Sequence, residues 1–389
     1  MMSTVSLVDF TPTLRLLAMA ALLALLPLAW WWLRQRGASV STRLAALTAL
    51  TMFLTFDLIV FGSFTRLTDS GLGCPDWPGC YGAASPLGAH GDIHAAQAAL
   101  PSGPVTLAKA WIEMIHRYLA MVVGALILVA AVAGWRARKL LPHSPAWGLI
   151  TLVWVLVQGL FGKFTVTLKL YPAVVTGHLL GAMVLLALLV LQFESFRNRP
   201  LAGTRAGIAP AWVAAALGLL MLQIALGGWV SSNYAVLACQ GFPACNGQWW
   251  PPMDAAQGFT LLRGLGLAGA GGYLPFEALV AIHMAHRLFA LLVLGALGAL
   301  AWQLWQDGQP VQRRYARLLG LLLLWQAASG LSNVVLGWPI AAALGHSAGA
   351  AALVATLVSL WARLRSAARM PLAPLPAAAA QRPSLTHLA

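Results

Sequence analysis

The chain has 389 residues, of which 60% are hydrophobic and only 9% are charged, and its formal net charge is +14. This composition excludes an ordinary soluble domain and places the chain in a lipid bilayer. The Lys and Arg residues fall in short clusters between apolar runs rather than on one face, so the positive charge indicates membrane topology and no nucleic-acid partner.

Nine runs are apolar enough to cross a membrane as helices, because about 20 residues span the hydrocarbon layer. In chain order they cover residues 13–34, 43–65, 109–134, 147–167, 172–195, 210–232, 277–305, 315–336 and 340–363. The first run ends in three tryptophans and Arg34 rather than in a small-residue cleavage site, which favours an uncleaved anchor over a signal peptide. The predicted fold class is therefore an all-α polytopic membrane protein.

Basic clusters predict the orientation of these spans. They follow alternate spans, so all five can lie on the cytoplasmic side; the clusters include Arg36, Arg138, Arg199, Arg314 and Arg365. The long connections 66–108 and 233–276 then face outward. We expect a multi-pass protein of the bacterial cytoplasmic (inner) membrane, surrounded by lipid, with a disordered cytoplasmic tail over residues 370–389.

An internal repeat relates the two halves of the chain. His116 and His286 are 170 positions apart, and the spacing is 168 for His178 and His346 and 165 for the cysteines. An even number of spans separates equivalent positions, which indicates a parallel duplication. We therefore predict two parallel-repeat four-helix bundles plus one additional N-terminal helix. The expected divisions are an anchor and linker (1–42), a first half (43–200), a second half (201–369) and the tail (370–389).

Four histidines lie within the predicted spans in repeat-related pairs, and ionisable residues in spans are costly and usually functional. His116 and His178 lie roughly 10 Å below the outer ends of their helices, and His286 and His346 repeat this arrangement. Two opposed imidazoles can ligate one heme iron, so each half is predicted to hold a heme near the outer face. Zinc is disfavoured because neither half offers a third and fourth ligand at that depth.

Charged residues accompany these histidines. Glu113 lies three residues before His116 on the same helical face, where it could transfer protons beside a heme edge. The alternative is an ion pair with Arg117 or Arg66. Position 283 of the second half is His, so the first half alone has this carboxylate. Three arginines are candidates either for holding heme propionates or for snorkelling to the interface: Arg66, Arg117 and Arg287.

The cysteines form two Cys-x5-Cys pairs in the loops predicted to face outward. An oxidising compartment favours one disulfide in each loop, Cys74 with Cys80 and Cys239 with Cys245. A redox-active dithiol is the alternative, because short exposed disulfides can be labile. In the first loop, the spacing of His90 and His94 could bind a metal if the segment is helical, although solvated loop histidines are the favoured interpretation.

The chain resembles the heme A synthase family over about residues 43–363. The resemblance lies in the motif Gly62-x-x-Thr65-Arg66-Leu67-Thr68-x-Ser70-Gly71-Leu72-Gly73-Cys74-Pro75-Asp76-Trp77-Pro78, in Glu113-x-x-His116-Arg117 and in Gly177-His178. It implies an enzyme that oxidises the C8 methyl group of heme O to a formyl group, through hydroxylated intermediates, and so supplies heme A to cytochrome c oxidase.

The resemblance also implies roles for single residues. His116 and His178 would flank the substrate heme O, and Glu113 would be the essential carboxylate beside it. His286 and His346 would ligate a heme b cofactor. The implied partners are heme O synthase and cytochrome c oxidase assembly factors.

Two other functions fit parts of the pattern. A diheme cytochrome b-like electron-transfer subunit would use the same four histidines, but such bundles commonly carry two histidines about 13 residues apart on one helix, and no such pair occurs. A secondary transporter would also show repeats, but the charged residues here lie near helix ends rather than at the midplane.

Overall fold

The computed structural model describes residues 11–141, 144–201, 208–269 and 271–368. In this part of the chain, nine helices are long and apolar enough to cross a membrane. They are α1 (Thr11–Arg34), α2 (Val40–Leu67), α4 (Leu107–Arg136), α5 (Ala146–Thr167), α6 (Pro172–Arg197), α7 (Pro210–Ser232), α9 (Phe276–Gln306), α10 (Pro310–Val335) and α11 (Ile340–Ala368). The predicted all-α membrane fold is confirmed, whereas the tail over 370–389 lies outside the described residues.

Two short helices lie in the long connections, which the sequence left unassigned. They are α3 (His90–Ala99) and α8 (Ala255–Gly258), and a single 3-10 turn covers Ala235–Leu237.

Local sequence signals set several helix ends. Helices α6, α7 and α10 each begin at a proline, which lacks the backbone N–H that would be unpaired in a first turn. The Thr106 side chain caps α4 by accepting a hydrogen bond from the backbone N–H of Lys109. Helix α10 begins five residues before the predicted span, because its polar and basic first turn is helical although it is not apolar.

The membrane helices pack as two rings. In the first ring α2 contacts α4, α4 contacts α5, α5 contacts α6, and α6 contacts α2. Helices α7, α9, α10 and α11 make the same series of contacts. Helix α6 contacts both α7 and α11, and α2 contacts α11, so the rings share an interface. A large apolar core follows this interface and includes Met183, Leu220, Leu297 and Val354.

Helix α1 lies against the first ring rather than within it, because it contacts α4 and, less extensively, α2. Leu16 near its beginning packs in one buried cluster with Cys74 and Cys80. Near its end, the indole N–H of Trp31 donates to the carbonyl of Arg43 at 2.8 Å. The beginning of α1 therefore lies at the same end of the molecule as the first cysteine loop, and we refer to this end as the loop end.

Polar contacts join the two rings at the loop end. The Arg66 guanidinium lies 4.0 Å from the ring centroid of Tyr234, and it donates to the Asp69 carboxylate at 3.0 Å and to the Ser231 carbonyl. The Tyr234 hydroxyl donates to the same carboxylate at 2.6 Å. The pairs Arg66/Ser231 and Asp69/Tyr234 are each 165 positions apart, the spacing of the cysteines, so equivalent positions of the two rings meet each other.

Candidate active site

Each ring presents two histidines near the loop end. His116 and His286 are nine and ten residues into α4 and α9, and His178 and His346 are each six residues into α6 and α11. Within each ring the two imidazoles lie close enough to interact electrostatically. All four residues are only half-buried although helices surround them, so their side chains border open space.

A glycine of a neighbouring helix faces each imidazole. A Cβ atom added to Gly62 would lie 3.0 Å from Nε2 of His116, and one added to Gly162 would lie 3.7 Å from Cε1 of His178. In the second ring the corresponding distances to Cε1 are 3.0 Å from Gly227 to His286 and 3.2 Å from Gly330 to His346. Carbon atoms pack best at about 3.5–4.0 Å, so the missing side chains make room for the rings.

These four glycines occupy equivalent places. Each lies five residues before the last residue of its helix: Gly62 in α2, Gly162 in α5, Gly227 in α7 and Gly330 in α10. The two rings thus build the same arrangement, with two neighbouring histidines and, behind each of them, a glycine that makes room for its imidazole, which we call a glycine notch.

The Glu113 carboxylate is buried, with 5% of its side chain exposed. One oxygen accepts a hydrogen bond from the backbone N–H of Cys74 at 2.8 Å, and the other pairs with the guanidinium of Arg117. Of the two ion pairs that the sequence allowed, the structure forms the one with Arg117, while Arg66 pairs with Asp69. The carboxylate is therefore held in a fixed position one turn from His116.

The second ring has His283 at the equivalent place, and it is 3% exposed. Its Nε2 atom accepts a hydrogen bond from Nε–H of Arg287 at 3.2 Å. The helix geometry is the same in both rings, but the anionic side chain is present in the first ring only.

Arg117 and Arg287 hold the cysteine loops onto the helices. Arg117 donates to the backbone carbonyls of Asp76 at 2.9 Å, Pro78 at 3.2 Å and Gly79. Arg287 donates to the equivalent loop, to carbonyls at positions 239, 241 and 244 over 2.6–3.4 Å. Much of the donor capacity of each guanidinium is used within the protein, and a role in holding heme propionates stays a prediction for these two arginines and for Arg66.

Each cysteine loop is closed by a disulfide, Cys74–Cys80 in the first ring and Cys239–Cys245 in the second. All four cysteines are at most 1% exposed. A two-residue turn follows each bond, and both of its central residues have positive φ: Tyr81 and Gly82 in one loop, Asn246 and Gly247 in the other. A type I′ turn, whose backbone twist matches that of the flanking strands, requires positive φ at both central residues. Both bonds are buried, and their structural role stays a prediction.

The loop histidines His90 and His94 lie on the exposed side of α3, with ring centroids 4.4 Å apart. Among the described residues, no group of three or more His, Cys, Asp or Glu side chains is arranged to hold a metal ion. His143 and His387 lie outside the described residues.

Three residues that contact the site were not identified from the sequence. Gly227 stands behind His286, Gln223 lies 3.0 Å from Nδ1 of His286, and Ser329 lies 3.0 Å from Nδ1 of His346. Gly227 could have been found, because it is 165 positions after Gly62. Gln223 and Ser329 have no polar counterparts in the first half, so the repeat gave no signal for them.

Comparison with known proteins identifies the family of the chain. The family described as cytochrome oxidase assembly protein (COX15-CtaA) matches residues 45–358. A heme A synthase of Shewanella oneidensis is 38% identical over 335 residues, which cover 84% of this chain and 100% of that protein. Heme A synthases of Halalkalibacterium halodurans and Caulobacter vibrioides are 26% and 27% identical, over 80% of this chain in both cases and over 92% and 93% of theirs. The chain belongs to the COX15-CtaA family of cytochrome oxidase assembly proteins, and the resemblance inferred from its motifs is confirmed.

Proposed function

We propose that this chain is a heme A synthase, an enzyme that oxidises the C8 methyl group of heme O to a formyl group and so gives heme A for cytochrome c oxidase. One observation carries the proposal beyond the family match. Two equivalent pairs of histidines lie at matching helix positions in the two rings, and a buried carboxylate accompanies only the pair His116 and His178. A substrate site and a cofactor site would differ in this way.

The residues present fit a heme in each ring. Paired imidazoles are suitable axial ligands, and the glycine notches at Gly62, Gly162, Gly227 and Gly330 give each imidazole room beside its neighbouring helix. A structural zinc site would need four ligands, whereas among the described residues no three His, Cys, Asp or Glu side chains are grouped to hold a metal ion. The partial exposure of all four histidines is consistent with a group bound between them.

In the proposed arrangement His116 and His178 hold the substrate heme O, and His286 and His346 hold heme b. Heme b would supply one-electron redox chemistry beside the substrate site. The corresponding domains are residues 43–200 and 201–369, supported by the matching contact series of the two rings. The Arg66–Tyr234 contact at their boundary keeps the two sites in a fixed relation at the loop end.

Glu113 is proposed as the catalytic residue of the first site. Oxidation of a methyl group removes hydrogen from carbon, so a proton acceptor is needed beside the ring edge. Glu113 is fixed by the Cys74 N–H and by Arg117, and it lies one helical turn from the ligand His116 on the loop-end side. The chain's own residues thus fix the carboxylate before the substrate arrives.

We place the chain in the cytoplasmic (inner) membrane of a bacterium, with the loop end outside. The basic clusters lie at the opposite end of the described helices, as the positive-inside rule requires; they include Arg36, Arg138, Arg197 and Arg365. A protein that receives heme O and delivers heme A would meet heme O synthase and oxidase assembly factors, and these are the proposed partners.

Pigment extraction tests the proposal. Membranes containing the chain together with a source of heme O should yield heme A, and His116→Ala should abolish it. His286→Ala should also abolish heme A and should remove the heme b signal. Extracts that contain heme b alone under all conditions would contradict the proposal and would favour a diheme electron-transfer subunit, which the family match does not favour.

A further inference from the structure

Two of the proposed ligands differ in the hydrogen bonding of their Nδ1 atoms, although they occupy equivalent places. The Ser329 hydroxyl oxygen lies 3.0 Å from Nδ1 of His346. In the first ring, Nδ1 of His178 is buried without a hydrogen-bond partner. The residue equivalent to Ser329, at the spacing of 168 that relates Gln158 to Gln326, is Phe161.

The hydrogen bonds of Ser329 favour one tautomer of the neutral His346 ring. The Ser329 hydroxyl donates its one proton to the Trp325 carbonyl at 2.7 Å, a bond to the preceding helical turn. With that proton donated to the helix, the Ser329 oxygen accepts from His346, an arrangement in which Nδ1 carries the ring proton. The neutral imidazole has one proton, and the Nε2 lone pair is therefore left free for an iron atom.

Such a bond stabilises a ligand in two ways. It holds the imidazole in one tautomer and one orientation, and it makes the ligating nitrogen more basic. Loss of an outer partner of this kind typically costs about 10- to 100-fold in metal affinity. Phe161 supplies no hydrogen-bonding group at the position equivalent to Ser329, and Nδ1 of His178 has no partner, so His178 has neither advantage and its unpaired Nδ1 atom carries a desolvation cost.

We propose that Ser329 and Phe161 set how firmly each half holds its heme. Ser329 makes His346 a fixed ligand, so the second half retains its heme as a permanent cofactor. Phe161 leaves His178 a weaker ligand, so the first half can take up a substrate and release a product. This inference rests on the proposed function, and it makes Ser329 and Phe161 positioning residues that act through the histidines.

The first experiment changes Ser329 in the full-length, heme-loaded chain. The rate of heme loss is measured by transfer to excess apomyoglobin, and the midpoint potential is measured by redox titration. Ser329→Ala should release heme from the second half about 10- to 100-fold faster, and it should raise the midpoint potential because the less basic ligand stabilises ferric iron less. Ser329→Thr keeps the hydroxyl and should restore both values.

A matched control is available one turn further along α10. The Ser332 hydroxyl also donates to the carbonyl four residues back, at 2.8 Å, but it is half-buried and forms no hydrogen bond with a histidine of the described chain. Ser332→Ala should leave both readouts unchanged. A rate and a potential in Ser329→Ala equal to those of the control would overturn the proposal.

The reciprocal experiment uses Phe161→Ser, which places a hydroxyl in the first half at the position equivalent to Ser329. Heme release from the first half should slow by a similar factor, and heme A should accumulate on the protein rather than in the product pool. Phe164→Ser, at a position 42% exposed on the same helix, is the control. Faster release in Phe161→Ser than in its control would contradict the inference.

The outcomes separate this inference from the proposed function. If the unmodified chain binds no heme, the proposed function itself fails. If it binds heme and forms heme A but the Ser329 and Phe161 variants match their controls, only the present inference fails.

Discussion

The glycine notch behind His286 gives the sharpest test of where the heme lies. Gly227→Ala places a methyl carbon 3.0 Å from Cε1 of the imidazole. Carbon pairs prefer at least about 3.5 Å, so the ring must move by about 0.5 Å. Overpacking of this kind costs about 1–3 kcal/mol, and a ligand held between two helices has little freedom to adjust.

Helix α7 carries its own control. Gly218 has no atom within 4 Å of an added Cβ. Alanine is favoured over glycine in a helix by roughly 1 kcal/mol, so Gly218→Ala should be neutral or slightly stabilising. Because both variants gain the same helix propensity, their difference reports the contact with the imidazole.

Heme titration into the purified apoprotein, followed by absorbance, provides the measurement. A tenfold change in affinity corresponds to about 1.4 kcal/mol, so Gly227→Ala should weaken heme binding in the second half by roughly 5- to 150-fold. Gly218→Ala should leave the affinity unchanged. Equal affinities in the two variants, with both proteins folded, would show that His286 does not hold a heme from this position.

Three further predictions concern the carboxylate, the disulfides and the contact between rings. Glu113→Gln keeps an acceptor for the Cys74 N–H but leaves Arg117 without its buried counter-ion, so it should destabilise the fold by roughly 3–5 kcal/mol and stop oxidation at heme O or a hydroxylated product. Full heme A output per folded protein would remove Glu113 from the mechanism. The four cysteines are at most 1% exposed, so glutathione should not reduce the native chain, and maleimide labelling of native protein would instead favour a redox-active dithiol. Burial and the hydrogen bond to Asp69 raise the pKa of Tyr234 above its ordinary 10.0, so this contact stabilises the fold below that value and is lost as pH rises through the raised pKa. The melting temperature, measured in buffers between pH 9 and 11, should show this loss of stability in the unmodified chain and not in Tyr234→Phe.

The sequence by itself determined the membrane spans, because a bilayer imposes a length and an apolar composition that can be read directly. The repeat spacing then indicated which histidines are equivalent, and helix periodicity placed Glu113 one turn from His116. Glu113 and Arg117 are four residues apart on one helix, so their ion pair was among the alternatives that local geometry allowed.

Contacts between helices were decided by the tertiary structure alone. The approach of Gly227 to His286 and of Ser329 to His346 depends on how far apart two helices lie and how each is rotated about its axis, and neither quantity is encoded in local periodicity. The partners of Arg117 and Arg287 depend in the same way on how the cysteine loops fold back over the helix ends. A repeat reveals equivalent positions, but only packing shows what each of them contacts.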